Sequence, residues 1–223
     1  MNSFYLKIIA IITMLIDHIG AVLFPDMIWL RMIGRLAFPI FAYLISEGYF
    51  KTKDVKKYML RLFIFALISQ IPFYFAFREG FYLNVFFTLF LGLYAIYKYD
   101  QTKNYWVVFG VGMLAYFLNT DYNIYGIIMI FLFYKFHDNF KRMAVSQVWL
   151  NLLYLGIPIL VMFLRGGKMT PSMIGYQLIQ GLCLISLIFI NYYNGEKGYS
   201  LKYVFYSFYP VHLGVLALIS YLK

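Results

Sequence analysis

Four ionisable residues lie where the chain is otherwise apolar. Asp17 and His18 interrupt one hydrophobic run, Arg35 a second, and His212 the last. Together they have the makings of an acyl-transfer site. An imidazole serves as general base toward a hydroxyl or amine. A guanidinium stabilises an oxyanion or binds phosphate. A carboxylate orients either partner. His18, Asp17 and Arg35 are therefore the candidate catalytic residues. Adjacent helical residues point about 100° apart, so Asp17 is not expected simply to bond His18. Arg31, Gln70 and His212 are candidate substrate contacts. Glu47 is another, although Glu47 and Arg61 fall in a separate polar group. Three histidines in distant segments form a weak metal pattern, and the lone Cys183 forms none. No metal is expected. Each position also has a plain structural reading: Asp17 with Arg35 as an ion pair fixing helix packing, the histidines as satisfied core groups, Glu47 and Arg61 as interfacial. His137 is expected in a solvated loop and Cys183 as a buried, inert thiol.

These residues need elements to hold them, and the composition says which. Of 223 residues, 63% are hydrophobic and 13% charged, against about 45–50% and 25% in a soluble domain. Mean hydropathy is +0.74. A soluble enzyme and a disordered chain are both excluded. The apolar runs are continuous, which argues against the alternating strands of a membrane barrel. The expected fold is all-α: a polytopic transmembrane helical bundle, one domain over 1–223, with about nine spans (eight to ten). Met1 to Lys7 carries no cleavage signature, so no removable signal peptide is expected.

The expected spans are Phe4–Phe24, Ile28–Phe50, Tyr58–Phe77, Phe81–Tyr97, two short runs Tyr105–Leu118 and Tyr122–Phe136, then Met143–Leu164, Ser172–Tyr193 and Tyr203–Leu222. The two short runs read either as two tilted spans or as one broken hairpin. The formal net charge of +10 is read as a topology signal, not as nucleic-acid binding. Lysines and arginines crowd the loops on the N-terminal side, from Lys51–Lys57 to Lys197 and Lys202. That bias places the N-terminus in the cytoplasm of a bacterial inner membrane. His18 and Arg35 then lie at similar depth, roughly 10 Å below the outer surface. Their helices are expected to be antiparallel neighbours, so Asp17, His18 and Arg35 can meet. Pro39 removes the helical donor to the Arg35 carbonyl, and Pro210 does the same to Tyr206, one turn before His212.

The motifs carry a resemblance. LKIIAIITMLIDHIG (Leu6–Gly20) and RMIGRLAFPIFAYLISEG (Arg31–Gly48) resemble the opening motifs of the TraX family. RLFIFALISQIPF (Arg61–Phe73), NVFFTLFLGL (Asn84–Leu93), DYNIYGIIMI (Asp121–Ile130) and FYPVHL (Phe208–Leu213) continue it to the end of the chain. Residues 140–200 hold no assignable motif. The family is named for an inner-membrane protein that acetylates the N-terminus of F-type conjugative pilin, with acetyl-CoA as expected donor. The first span also looks like that of the acyltransferase-three membrane enzymes, in which an equivalent histidine near the outer part of the membrane is held to be catalytic. The resemblance implies His18 as base, Arg35 as oxyanion or acyl-donor contact, and His212 and Tyr209 lining the site.

The expected function is acetyl transfer from acetyl-CoA to an amine or hydroxyl of a pilin or other cell-envelope acceptor. Acetyl-CoA, membrane lipids and the acceptor are the expected partners; no nucleic acid is. Two other readings stay open. One is a small-molecule transporter or flippase, which would also carry charged residues and broken helices at depth. The other is a non-catalytic factor for pilus or envelope assembly.

Overall fold

A computed structural model describes residues 1–77, 80, 82–165, 175, 178–199 and 201–223. Its elements are α1 (Ser3–Leu23), α2 (Ile28–Gly34), α3 (Ala37–Lys51), α4 (Val55–Phe77), α5 (Val85–Thr102), α6 (Tyr105–Phe117), α7 (Asn123–Lys135), α8 (Phe140–Leu164), α9 (Ser186–Asn191, entered through a 3₁₀ turn Leu182–Ile185) and α10 (Lys202–Leu222). No strand occurs among the described residues beyond one isolated bridge, Leu83 to Thr120.

Asparagine starts many of these helices. Asn2, Asn84, Asn104 and Asn139 each accept from a backbone N–H of the first turn, satisfying donors that have no intrahelical partner. The break between α2 and α3 falls on Arg35 and Leu36. Pro39 cannot supply the N–H that the Arg35 carbonyl would need for an unbroken helix. The expected second span is therefore two helices hinged at the arginine.

The core is built around α3. Its residues Ala37, Phe38, Ile40, Ala42, Tyr43 and Ile45 are buried on nearly every face. The helix packs against α1, α5, α7 and α9. α1 turns Leu6, Ala10, Met14 and Asp17 inward, spaced three or four apart as one helix face requires. α4 and α10 pack together on the outside and expose apolar residues such as Ile71, Phe75, Val211 and Leu218, as a lipid-facing surface does. Small residues permit close approach: a Cβ on Gly92 would sit 2.4 Å from Ile130 Cδ1, so α5 and α7 touch nearly backbone to side chain.

The two ends of the bundle differ. At one end Met1 N bonds the Tyr192 carbonyl, Ser3 Oγ the Lys197 carbonyl, and Lys51 Nζ the Gly195 carbonyl. Tyr49 and Tyr134 both donate to Asp100 at 2.7 and 2.8 Å. The lysine-rich loops thus gather there, as the charge pattern requires. At the other end Lys223 Nζ reaches the Leu23 carbonyl.

Among the described residues five helical segments are long and apolar enough to cross a membrane: Ser3–Leu23, Ile28–Lys51 (α2 and α3 together), Val55–Phe77, Phe140–Leu164 and Lys202–Leu222. The expected count of about nine spans is not confirmed by these five segments. The others are shorter or, in α5, end in the polar run Lys98–Thr102. α6 and α7 are two separate helices of 13 residues each, roughly 20 Å long. The expected eighth span, Ser172–Tyr193, begins outside the described residues and ends as α9.

Candidate functional site

A cavity of about 520 Å³ opens between the ends of α1, α2, α4, α7 and α10, away from the lysine-rich end. Its wall is charged on one side. Asp17 faces α2, where Gly34 has no Cβ; one there would lie 2.0 Å from Asp17 Oδ1. Into that gap fits a carboxylate shared by two guanidiniums. Arg31 donates to Oδ2 at 2.6 Å and Arg35 to Oδ1 at 2.9 Å. Their spacing of four residues puts both on one helix face. Arg35 Nε bonds the Arg31 carbonyl at 3.2 Å, and another Arg35 N–H bonds Gln180 Oε1 at 3.2 Å. Among the described residues these bonds, with that from Arg31 to the Asp17 carbonyl at 3.1 Å, leave Arg31 Nε and its second terminal nitrogen, and one N–H on each terminal nitrogen of Arg35, without a partner. Asp17, side chain 13% exposed, cancels one of the two positive charges.

His18 lines the same cavity. Its Nδ1 is 2.7 Å from His212 Nε2, and His212 Nδ1 is 2.6 Å from the Phe208 carbonyl. Phe77 and Tyr209 set their rings edge-on to His18 at 5.4 and 5.8 Å. Asp17 does not bond His18; it is committed to the arginines. The remaining wall comes from two loops zipped together. Leu83 N donates to the Asn119 carbonyl and Asp121 N to the Leu83 carbonyl, at 3.0 and 2.9 Å. This brings Tyr82 and Asp121 to the cavity rim. Among the described residues, Tyr209 Oη and Asn123 Oδ1 are buried with no hydrogen-bond partner of ordinary geometry, Tyr209 lying against the Val85 backbone; both residues line the cavity.

From Arg35 a polar chain runs inward. Gln180 Nε2 donates to Tyr125 Oη at 3.4 Å, Tyr125 Oη to Asn151 Oδ1 at 3.0 Å, and Cys183 Sγ to the same Asn151 oxygen at 3.1 Å. Cys183 is buried and held within this network.

The other predicted residues lie elsewhere. Gln70 is 12 residues before Tyr82 and donates to its carbonyl at 2.7 Å, while accepting from Asn84 N and Nδ2. It fixes the α4–α5 turn behind the cavity. Glu47 sits at the lysine-rich end, bonded by Lys51 at 2.6 Å, His137 at 2.7 Å and Tyr193 at 2.9 Å. His137 is thus half-buried on a carboxylate instead of solvated. That hydrogen bond raises its pKa above the usual imidazole value, with burial opposing. Arg61 does not pair with Glu47; it lies 5.5 Å over the Tyr58 ring. Residues the sequence did not single out include Asp121, Tyr122 and Asn123. Their signal was the motif Asp121–Ile130, seen but given no role. Gln180 and Tyr154 fall in the stretch without motifs.

The fold and cavity define a helical membrane protein with a polar site inside one end of its bundle. The TraX protein family profile matches residues 3–220, and the chain belongs to that family. It is 30% identical to "Probable fimbrial assembly protein FimC, serogroup H1" of Dichelobacter nodosus, over 96% of this chain and 94% of that one. It is 24% identical to "Protein TraX" of Escherichia coli K12, over 96% and 86%. A Rickettsia prowazekii protein, RP591, is 33% identical over 44% of this chain and 37% of its own. No solved structure matches the chain.

Proposed function

We propose that this protein is an acyltransferase of the bacterial inner membrane, moving acetyl from acetyl-CoA to an amine or hydroxyl of a pilin or other envelope acceptor. The observation that carries this reading is His18. Its ring enters a 520 Å³ cavity whose wall holds two guanidiniums with uncommitted N–H groups, and its Nε2 has no bonded partner among the described residues. In this reading His18 takes the proton of the acceptor N–H or O–H as that atom attacks the thioester carbonyl. Arg35 stabilises the oxyanion that forms. The leaving thiolate then recovers the proton. Asp17 holds both arginines in place, and Arg31 contacts the substrate. Tyr209 and Asn123 offer the acceptor polar partners. The cavity volume accommodates an acetyl thioester together with an acceptor group, and the donor set is of the right kind for both.

Nine passes, with the lysine-rich end and N-terminus in the cytoplasm, fit the charge bias. The cavity then faces the outer side, where a pilin or envelope acceptor arrives. Acetyl-CoA belongs to the lysine-rich side, whose charge attracts phosphates. The packed residues Leu6, Ala10, Ile40 and Ala42 lie between, so the route of the acetyl group is the step to test. The name of the D. nodosus relative, a probable fimbrial assembly protein, supports a pilus-related setting.

A transporter or flippase is the second reading, favoured by the polar chain from Arg35 through Tyr125 to Asn151. That chain stops at Gln147, which donates to the Met129 carbonyl. A non-catalytic assembly factor would fit the name of the D. nodosus relative.

The deciding experiment uses purified protein in sealed vesicles, labelled acetyl-CoA supplied to one side or the other, and envelope extract as acceptor. Label in an envelope component supports the enzyme and identifies the donor side. Solute uptake with no label transferred from any acyl-CoA overturns it in favour of transport.

A further inference from the structure

The hydrogen-bond chain at His18 runs away from the cavity and ends on backbone. A carbonyl oxygen only accepts, so the 2.6 Å contact with Phe208 O puts a hydrogen on His212 Nδ1. A neutral imidazole carries one N–H. His212 Nε2 is then bare, and the hydrogen in the 2.7 Å contact between the rings belongs to His18 Nδ1. His18 Nε2, on a ring that lines the cavity, is left as a bare acceptor.

The geometry supports a directed bond. The ring planes are 8° apart and the centroids 5.0 Å apart. Joined nitrogen to nitrogen at 2.7 Å, such rings meet edge to edge, in line with the lone pair. Phe208 stacks on His212 at 4.7 Å and Phe77 closes the side of His18. His212 is 7% exposed. A hydrogen bond in such dry surroundings is strong, and breaking it is costly. The usual supporter of a catalytic imidazole is a carboxylate. Here Asp17 has both oxygens on arginines, and the second imidazole takes that place.

We propose that His212 is a positioning residue: with the Phe208 carbonyl it fixes His18 in the Nδ1–H tautomer and so makes Nε2 the base. Its kinetic part rests on the acyltransferase reading; the tautomer does not. In turnover, His18 Nε2 gains the acceptor's proton. His18 Nδ1–H then shares its hydrogen with His212 Nε2, spreading one positive charge over two rings. The hydrogen returns to Nδ1 as Nε2–H passes its proton to the leaving thiolate. One proton moves from acceptor to thiolate, and both rings end neutral.

The test is ¹⁵N NMR of histidine-labelled protein in lipid nanodiscs. The chain has three histidines, and His18→Ala and His137→Gln assign the signals. Wild type is expected to show His18 with Nδ1 protonated and Nε2 bare. His212→Ala should lose that preference, and His212→Gln, whose carbonyl still accepts from Nδ1–H, should keep it. Transfer should fall about 10²–10⁴-fold in His212→Ala with KM little changed, and His212→Gln should recover most of the rate. A wild-type His18 protonated at Nε2 overturns the proposal, as does an unchanged tautomer in folded His212→Ala. The wild-type spectrum decides even if the alanine variant does not fold. A protein with the expected tautomer but no transfer would sink the acyltransferase reading alone.

Discussion

Gly34→Ala tests the charged wall without touching a charge. The added Cβ would meet Asp17 Oδ1, Cβ and Cγ at 2.0, 2.2 and 2.3 Å, so α1 and α2 must part by more than an ångström. Asp17 cannot swing aside, because Arg31 at 2.6 Å and Arg35 at 2.9 Å hold its two oxygens. Separation strains both bonds toward breaking. Overpacking alone costs about 1–3 kcal/mol, and uncoupling a buried charge about 3–5 kcal/mol. The expected penalty is therefore about 3–5 kcal/mol. At about 2–4 °C per kcal/mol for a chain of this size, the melting temperature in detergent should drop by on the order of 10 °C. In an Asp17→Gly background the same substitution should cost much less, because its obstacle is gone. A Gly34→Ala protein with wild-type melting temperature would refute the reasoning, and so would an equal loss in both backgrounds.

Other outcomes follow from the same geometry. Asn84→Ala removes the cap on Phe86 N and two bonds from Nδ2, to Ala66 O and Gln70 Oε1; a loss of about 2–4 kcal/mol is expected in thermal unfolding. Arg35→Gln should lower kcat about 10²–10³-fold, whereas Arg31→Gln should raise KM more than it lowers kcat; steady-state transfer kinetics separate the two. Glu47 raises the pKa of His137, so the stabilisation from that pair is complete below about pH 6.5 and fades as pH rises through the raised value. Thermal stability should thus fall as pH rises above about 6.5 more in wild type than in His137→Gln, by about 1 kcal/mol or less because the His137 side chain is 28% exposed.

Much of this architecture was legible because bilayers enforce simple rules. Apolar length and loop charge marked the helices, and the cost of burying charge pointed to Asp17, His18, Arg35 and His212. Equal depth along antiparallel helices put Asp17, His18 and Arg35 within reach of one another; His212, read as nearer the midplane, lies against His18 in the structure. The Asp17–Arg35 pair was legible, but the full pairing was not, because it depends on side-chain direction. Asp17 went to two arginines, since Gly34 opened space for it, and His18 went to His212 across 194 positions of sequence. Gln70 and Glu47 looked equally polar but found local partners, in the α4–α5 turn and at the lysine-rich end. The cavity's far wall depends on Tyr122, Tyr154 and Gln180, and a helical pattern gives no sign of which aromatic or amide faces a hole. Span number was less legible, because α6 and α7 are apolar but short.

The most direct measurement compares wild type, His18→Ala and Arg35→Gln in reconstituted vesicles, following label from acetyl-CoA into an envelope acceptor. Transfer is expected from wild type, none above background from folded His18→Ala, and a weak residual rate from Arg35→Gln. Full transfer by folded His18→Ala would contradict the role of His18 as base.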